Sequence, residues 1–72
     1  MFPWRRLALR RRVIVNLKTK ESLKGVLWSK NGPLLVVKEA QLFDGHAEPT
    51  KVDGEVLIER SNVSFIQVLP EA

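Results

Sequence analysis

From Val13 to Leu69 the apolar residues return at every second position in five short runs, and one of these runs carries a glycine at its centre. A period of two belongs to a strand, whose successive side chains point to opposite faces. In VIVNLK, Val13, Val15 and Leu17 share one face, with Ile14, Asn16 and Lys18 on the other. In SLKGVLWSK, Leu23, Gly25 and Leu27 oppose Lys24, Val26 and Trp28. A glycine inside a strand marks a sharp bend or a close backbone approach, and a small sheet needs such a bend to curl on itself. The third run, LLVVKEAQLF, begins with continuous apolar residues and is expected to be buried on both faces there. EVLIE then sets Val56 and Ile58 against Glu55, Leu57 and Glu59, and VSFIQVL closes the series before Pro70.

The connections follow from turn chemistry. TKES joins the first two runs without a glycine, so its turn type is open, whereas Asn31-Gly32-Pro33 is a strong turn signal. Asp44 to Asp53 is polar and reads as the longest loop, ending in a turn at Asp53-Gly54. Glu59-Arg60-Ser61-Asn62 breaks the last two runs and predicts one tight helical turn, by which the chain leaves one sheet edge and returns on the other. Asn62 would assist by a left-handed conformation or by bonding to its own backbone. Ahead of the strands, Pro3 suits a first helical turn, and Trp4, Leu7 and Ala8 fall on one helical face. The expected fold is therefore all-β: a small, five-stranded, strongly bent antiparallel barrel of SH3-like type over residues 13–70, preceded by a short basic N-terminal helix or arm over residues 1–12.

Seventy-two residues bury a thin core, and with no cysteine neither disulfide nor thiolate metal site can reinforce it. Oligomerisation is the remaining common route to more burial. The fourth and fifth strands would stand at open edges, where Val56, Ile58, Val63, Phe65 and Ile66 invite pairing with another copy; head-to-tail pairing of unlike edges makes a ring when the rotation closes. At 44% hydrophobic and 28% charged residues, the chain belongs with folded domains. No apolar run approaches a membrane span, and Arg5 and Arg6 interrupt the place where a secretory signal would be apolar, so a cytoplasmic setting is expected.

Charge is unevenly placed. The arm holds Arg5, Arg6, Arg10, Arg11 and Arg12, while from Val13 onward seven basic residues face eight acidic ones. A basic arm on a near-neutral body suits phosphates or an acidic partner, and it equally suits a solvated helix face. Trp28 could stack on a base or cover the core against Trp4. His46 has no second His or Cys to share a metal, Asp44, Glu48 and Asp53 form no paired-carboxylate arrangement, and no nucleophile lies near a base. Neither an enzyme nor a cofactor is expected.

Taken in order, these residues resemble the Sm-like family, the ring-forming group that includes the eukaryotic Sm and Lsm proteins and bacterial RNA chaperones. Val13, Val15, Leu17, Gly25 and Leu27 with Leu34 to Ala40 are similar to its first motif, and Gly54, Val56, Ile58, Asn62-Val63 and Ile66 to its second. The GPLLVVKEA wording is most similar to small Sm-like chains carried by phages of actinobacteria. The resemblance implies a homo-oligomeric ring of six or seven copies that binds single-stranded RNA around its pore, here through Lys30, Asn31, Arg60 and Asn62, with Arg5, Arg6, Arg10, Arg11 and Arg12 adding a positive face for phosphates on the same side. It also shows departures. The family's uracil-contacting Asp and Asn are replaced by Asn31 and by Leu34 or Leu35, and its Arg-Gly turn by Glu59-Arg60, so low sequence selectivity is expected. The alternatives are a structural or regulatory ring that binds protein, its RNA site degraded, and a monomeric SH3-like adaptor.

Overall fold

The computed structural model describes residues 9–70. Five strands, β1 (Arg12–Leu17), β2 (Ser22–Asn31), β3 (Leu34–Phe43), β4 (Thr50–Glu59) and β5 (Val63–Val68), form one antiparallel sheet in the order β4-β3-β2-β1-β5. A single 3-10 turn, Arg60–Asn62, joins β4 to β5, as the polar break implied. Because β4 and β5 are consecutive in the chain yet lie at opposite ends of the strand order, each is paired on one side only.

The alternation read from the sequence builds the core. Val13, Val15, Leu23, Leu27, Leu35, Val37, Ala40 and Ile58 pack into one buried cluster, and Val36 is buried as well, which accounts for the continuous apolar start of β3. Among the described residues no polar or charged side chain is buried, so the core rests on apolar burial alone.

Gly25 is where the sheet bends. Its neighbours in register are Lys24 opposite Gln41 and Val26 opposite Lys38, so this one glycine faces both Glu39 and Ala40. On the far side of β3 the same Glu39 faces Asp53 and Gly54, between the pairs Lys38 with Glu55 and Ala40 with Val52. Bulges thus align across three strands, and Glu39 (φ 54°) and Gly54 (φ 78°) both take left-handed backbone there. A Cβ on Gly25 would sit 2.7 Å from the Lys38 carbonyl oxygen and 3.1 Å from the Ala40 Cα, so backbone would have to move. Gly25→Ala is expected to cost about 1–3 kcal/mol of stability, read as a lowered denaturant midpoint. An unchanged midpoint would mean that β2 and β3 do not press together at this point.

Two expectations are corrected, and a third, the N-terminal helix, falls within the described residues only at its end. Asp53-Gly54 is not a turn between loop and strand: β4 begins at Thr50 and runs through both residues as a bulge, because Lys51 and Val52 find partners in Gln41 and Ala40. The predicted N-terminal helix falls mostly on residues 1–8, which lie outside the described residues together with Arg5, Arg6 and Trp4; its last residues are not helical. Arg10 (φ 63°) turns the chain, its N–H donates to the Leu27 carbonyl, and Arg12 is already part of β1. Asn62 does not have the left-handed conformation considered for it; its side chain reaches the β1–β2 turn instead. That turn, lacking a glycine, obtains its positive φ from Lys20 (φ 81°), with the Lys20 N–H donating to the Leu17 carbonyl. Among the described residues no helix is long and apolar enough to cross a membrane.

Candidate nucleic-acid interface

The turn between β4 and β5 is tied to two other turns. The Arg60 N–H donates to the Pro33 carbonyl at 2.8 Å, which binds it to the β2–β3 turn, and the Lys18 N–H donates to the Asn62 carbonyl at 2.7 Å, which binds it to the β1–β2 turn. The Asn62 Nδ2 adds a bond to the Thr19 Oγ1 at 3.3 Å. Strand register supports the same gathering, since Asn31 pairs with Leu34 and Leu34 with Glu59. Lys30, Asn31, Arg60 and Asn62, four positions singled out in the sequence, are therefore brought to one end of the sheet. Asn31 and Arg60 are exposed, whereas Lys30 and Asn62 are half-buried.

The 3-10 turn brings in more cation than the sequence suggested. Exposed Lys18 and Lys20, on the β1–β2 turn, are tied to it through the Asn62 contacts, and Glu21 and Glu59 lie next to these turns in the chain. Nothing local marks Lys18 and Lys20, because their neighbour Asn62 lies more than forty positions away; the bond itself spans 43 residues. The Asn62 side chain joins its own turn to the β1–β2 turn.

The arm arginines that the structure describes reach three different partners. Arg10 lies flat against Trp28, its Cζ 3.8 Å from the ring centroid and its Nε donating to the Trp28 carbonyl at 3.1 Å. Lys38 Nζ also lies 4.1 Å from that centroid. The Trp28 ring is thus engaged by cations through its π-face. Arg11 donates through a terminal guanidinium nitrogen to the Leu69 carbonyl at 2.9 Å, which fastens the start of β1 to the end of β5. Arg12 is exposed and faces Glu39 at 4.0 Å, a loose pair in solvent. His46 is exposed beside Asp44, with Nε2 3.7 Å from Oδ2, and no group of three or more His, Cys, Asp or Glu among the described residues could hold a metal.

Among the described residues three large apolar side chains are exposed: Phe43 at the end of β3, and one on each free edge. Leu57 on β4 is 60% exposed and Phe65 on β5 is 59% exposed. Val56, Val63 and Ile66 are half-buried, and Ile58 lies in the core at 5% exposure, its side chain directed inward by the alternation. Leu57, read from sequence only as an outward position on β4, belongs with Phe65.

No protein-family model matches the chain, and no curated protein does. Solved structures do. An Sm protein of Pyrococcus abyssii in complex with a uridine heptamer is 24% identical, with a TM-score of 0.79 over 96% of this chain and 100% of that one. The SmAP1 heptamer of P. aerophilum is 22% identical, with a TM-score of 0.78 over 92% of this chain and 88% of that one. A chain of the NatC complex bound to CoA is 21% identical, with a TM-score of 0.73 over 85% of this chain and 78% of that one. At these identities likeness speaks for architecture, and with its strand order, bent β2 and 3-10 turn before β5 the chain has the Sm fold.

Proposed function

We propose that copies of this chain close into a homo-oligomeric ring, the β4 edge of each pairing with the β5 edge of the next, and that the ring binds single-stranded RNA without catalysis. The observation that supports this reading is the presence of two unpaired edges beside three joined turns: closure through the edges would repeat Lys18, Lys20, Lys30 and Arg60 around the ring. Two of the solved relatives are consistent with it, one being a heptamer and another holding a uridine heptamer. A hexamer or heptamer is the expected size. Domain limits follow the same logic, with a basic arm at residues 1–12, Arg5, Arg6 and Arg10 among its cations, and the fold proper at residues 13–70. The reading keeps the cytoplasmic setting and the likeness to small phage-carried chains.

Selectivity for uridine is expected to be low. Asn31, and Leu34 or Leu35, stand where the family's uracil pocket has its acidic and amide groups, and Glu59 sets a negative charge beside Arg60. That same carboxylate favours the second reading, a ring that binds protein. The two separate by titration with oligouridine at several salt concentrations. RNA binding predicts that log affinity falls linearly with log salt at a slope near −0.7 for each phosphate neutralised. No binding at low salt by a chain whose native mass is that of a ring would leave the protein-binding ring in possession.

A further inference from the structure

The line of bulges that bends the sheet also shapes its outer face. Lys24, Gln41 and Lys51 are partners in register across β2, β3 and β4, so their side chains rise from the same face. Adjacent strands lie about 4.8 Å apart, which sets the Lys24 and Lys51 backbones roughly 10 Å from one another with Gln41 between them. Arg12 stands opposite Val26, two positions further along β2, and completes an open recess of about 350 Å³ lined by Arg12, Lys24, Glu39, Ala40, Gln41 and Lys51. Three cations meet one carboxylate there. Lys24, Gln41 and Lys51 are exposed, and no hydrogen bond or ion pair of theirs to another side chain is among those found in the described residues.

Glu39 is the unusual member. It is a non-glycine residue in left-handed backbone, forced there because Gly25 lets the Lys38 carbonyl and the Ala40 Cα approach on one side while Asp53 and Gly54 bulge on the other. Such a conformation holds backbone strain. Its carboxylate is carried over the recess, 4.0 Å from Arg12, with 72% of the side chain exposed. An anion arriving between Lys24 and Lys51 would meet a donor amide in Gln41 and would compete with Glu39 for Arg12.

We propose that this recess binds backbone phosphates of single-stranded RNA as a second contact outside the turn end, with Lys24, Lys51 and Arg12 as cations, Gln41 as hydrogen-bond donor and Glu39 as the internal competitor that the phosphate displaces. The inference rests on the RNA reading for its ligand but not for its chemistry, which is that of any oligophosphate. An RNA held at the opening by the turns would then continue across the outer face, so long strands gain from the recess and short ones do not.

Two measurements on the full chain decide it. Inorganic tripolyphosphate, titrated at low ionic strength and followed by amide chemical shifts, is expected to move Lys24, Gln41 and Lys51 as a group; absence of those shifts overturns the recess whether or not RNA binds. Lys24→Gln with Lys51→Gln is then expected to weaken a long oligouridine about tenfold and to flatten its salt slope by about 1.4, two neutralised phosphates, while an oligouridine that only spans the turn ends changes less than about twofold. Glu39→Gln keeps the side-chain shape and should strengthen the long strand. Tripolyphosphate binding with long and short RNA equally unaffected by the lysine variants would overturn RNA as the occupant. If the wild-type chain binds no RNA at all, the proposed function fails by that result, and the tripolyphosphate shifts still judge the recess.

Discussion

Replacing Leu57 by lysine is expected to take the proposed ring apart into single chains of 8.2 kDa, and Phe65→Lys to do the same. Each residue stands on a free edge, 60% and 59% exposed, so neither change removes core, and a lysine on an edge strand is a common natural block to pairing. The informative experiment mixes the two variants. In a head-to-tail ring the Leu57→Lys chain keeps a sound β5 edge and the Phe65→Lys chain a sound β4 edge, so one contact can form between them and no second one. The mixture should therefore show the mass of two chains by light scattering or native mass spectrometry, and nothing larger. If instead the edges paired like with like, each variant would dimerise by itself through its intact edge. Wild-type chains at the single-chain mass would remove the ring and leave a monomeric adaptor. The RNA consequence has a clear sign as well: each substitution adds a positive charge, so a fall in affinity must come from losing simultaneous contacts around the ring, which can amount to roughly a hundredfold or more.

What was legible in the sequence were the features set by nearest neighbours. The alternation of Val13, Val15, Leu23 and Leu27 reports the inner face directly, and Asn31-Gly32-Pro33 and the polar run Glu59 to Asn62 supply their own turn chemistry. The start of β4 was hidden because Thr50, Lys51 and Val52 form part of an edge strand, where only one neighbour and little burial are available to select apolar residues. Asp53-Gly54 then looked like a hairpin signal, although its positive φ serves a bulge that only the bend at Gly25 explains. The block Arg10-Arg11-Arg12 reads in sequence as the end of one basic arm. A turn followed by a strand sends consecutive side chains in different directions, so the three end at Trp28, at the Leu69 carbonyl and at Glu39. The gathering of Lys18 and Lys20 with Arg60 and Asn62 depends on β5 returning beside β1, a tertiary fact with no local signature.

At the turn end, Arg60→Gln and Lys30→Gln together are expected to reduce affinity for oligouridine by at least about tenfold at low salt, since each chain loses two cations and a ring repeats the loss around its opening. The backbone amide of residue 60 can keep its bond to the Pro33 carbonyl in this variant, and an unchanged denaturant midpoint checks that the turn survives. Glu59→Gln should act in the opposite direction, because it removes the negative group that phosphates would meet beside Arg60. Asn62→Ala completes the set as a control of a different kind. It deletes the 3.3 Å bond to Thr19 and should cost about 0.5–1.5 kcal/mol of stability, while leaving RNA affinity and its salt slope nearly unchanged well below the melting temperature. Opposite signs for Glu59→Gln and for the paired cation variant, with Asn62→Ala neutral in binding, would mark the turn end as a phosphate-facing surface and not merely a junction of three turns. Equal affinities across all of them would leave these side chains with turn chemistry alone, and any RNA contact would have to be sought on the arm or the outer face.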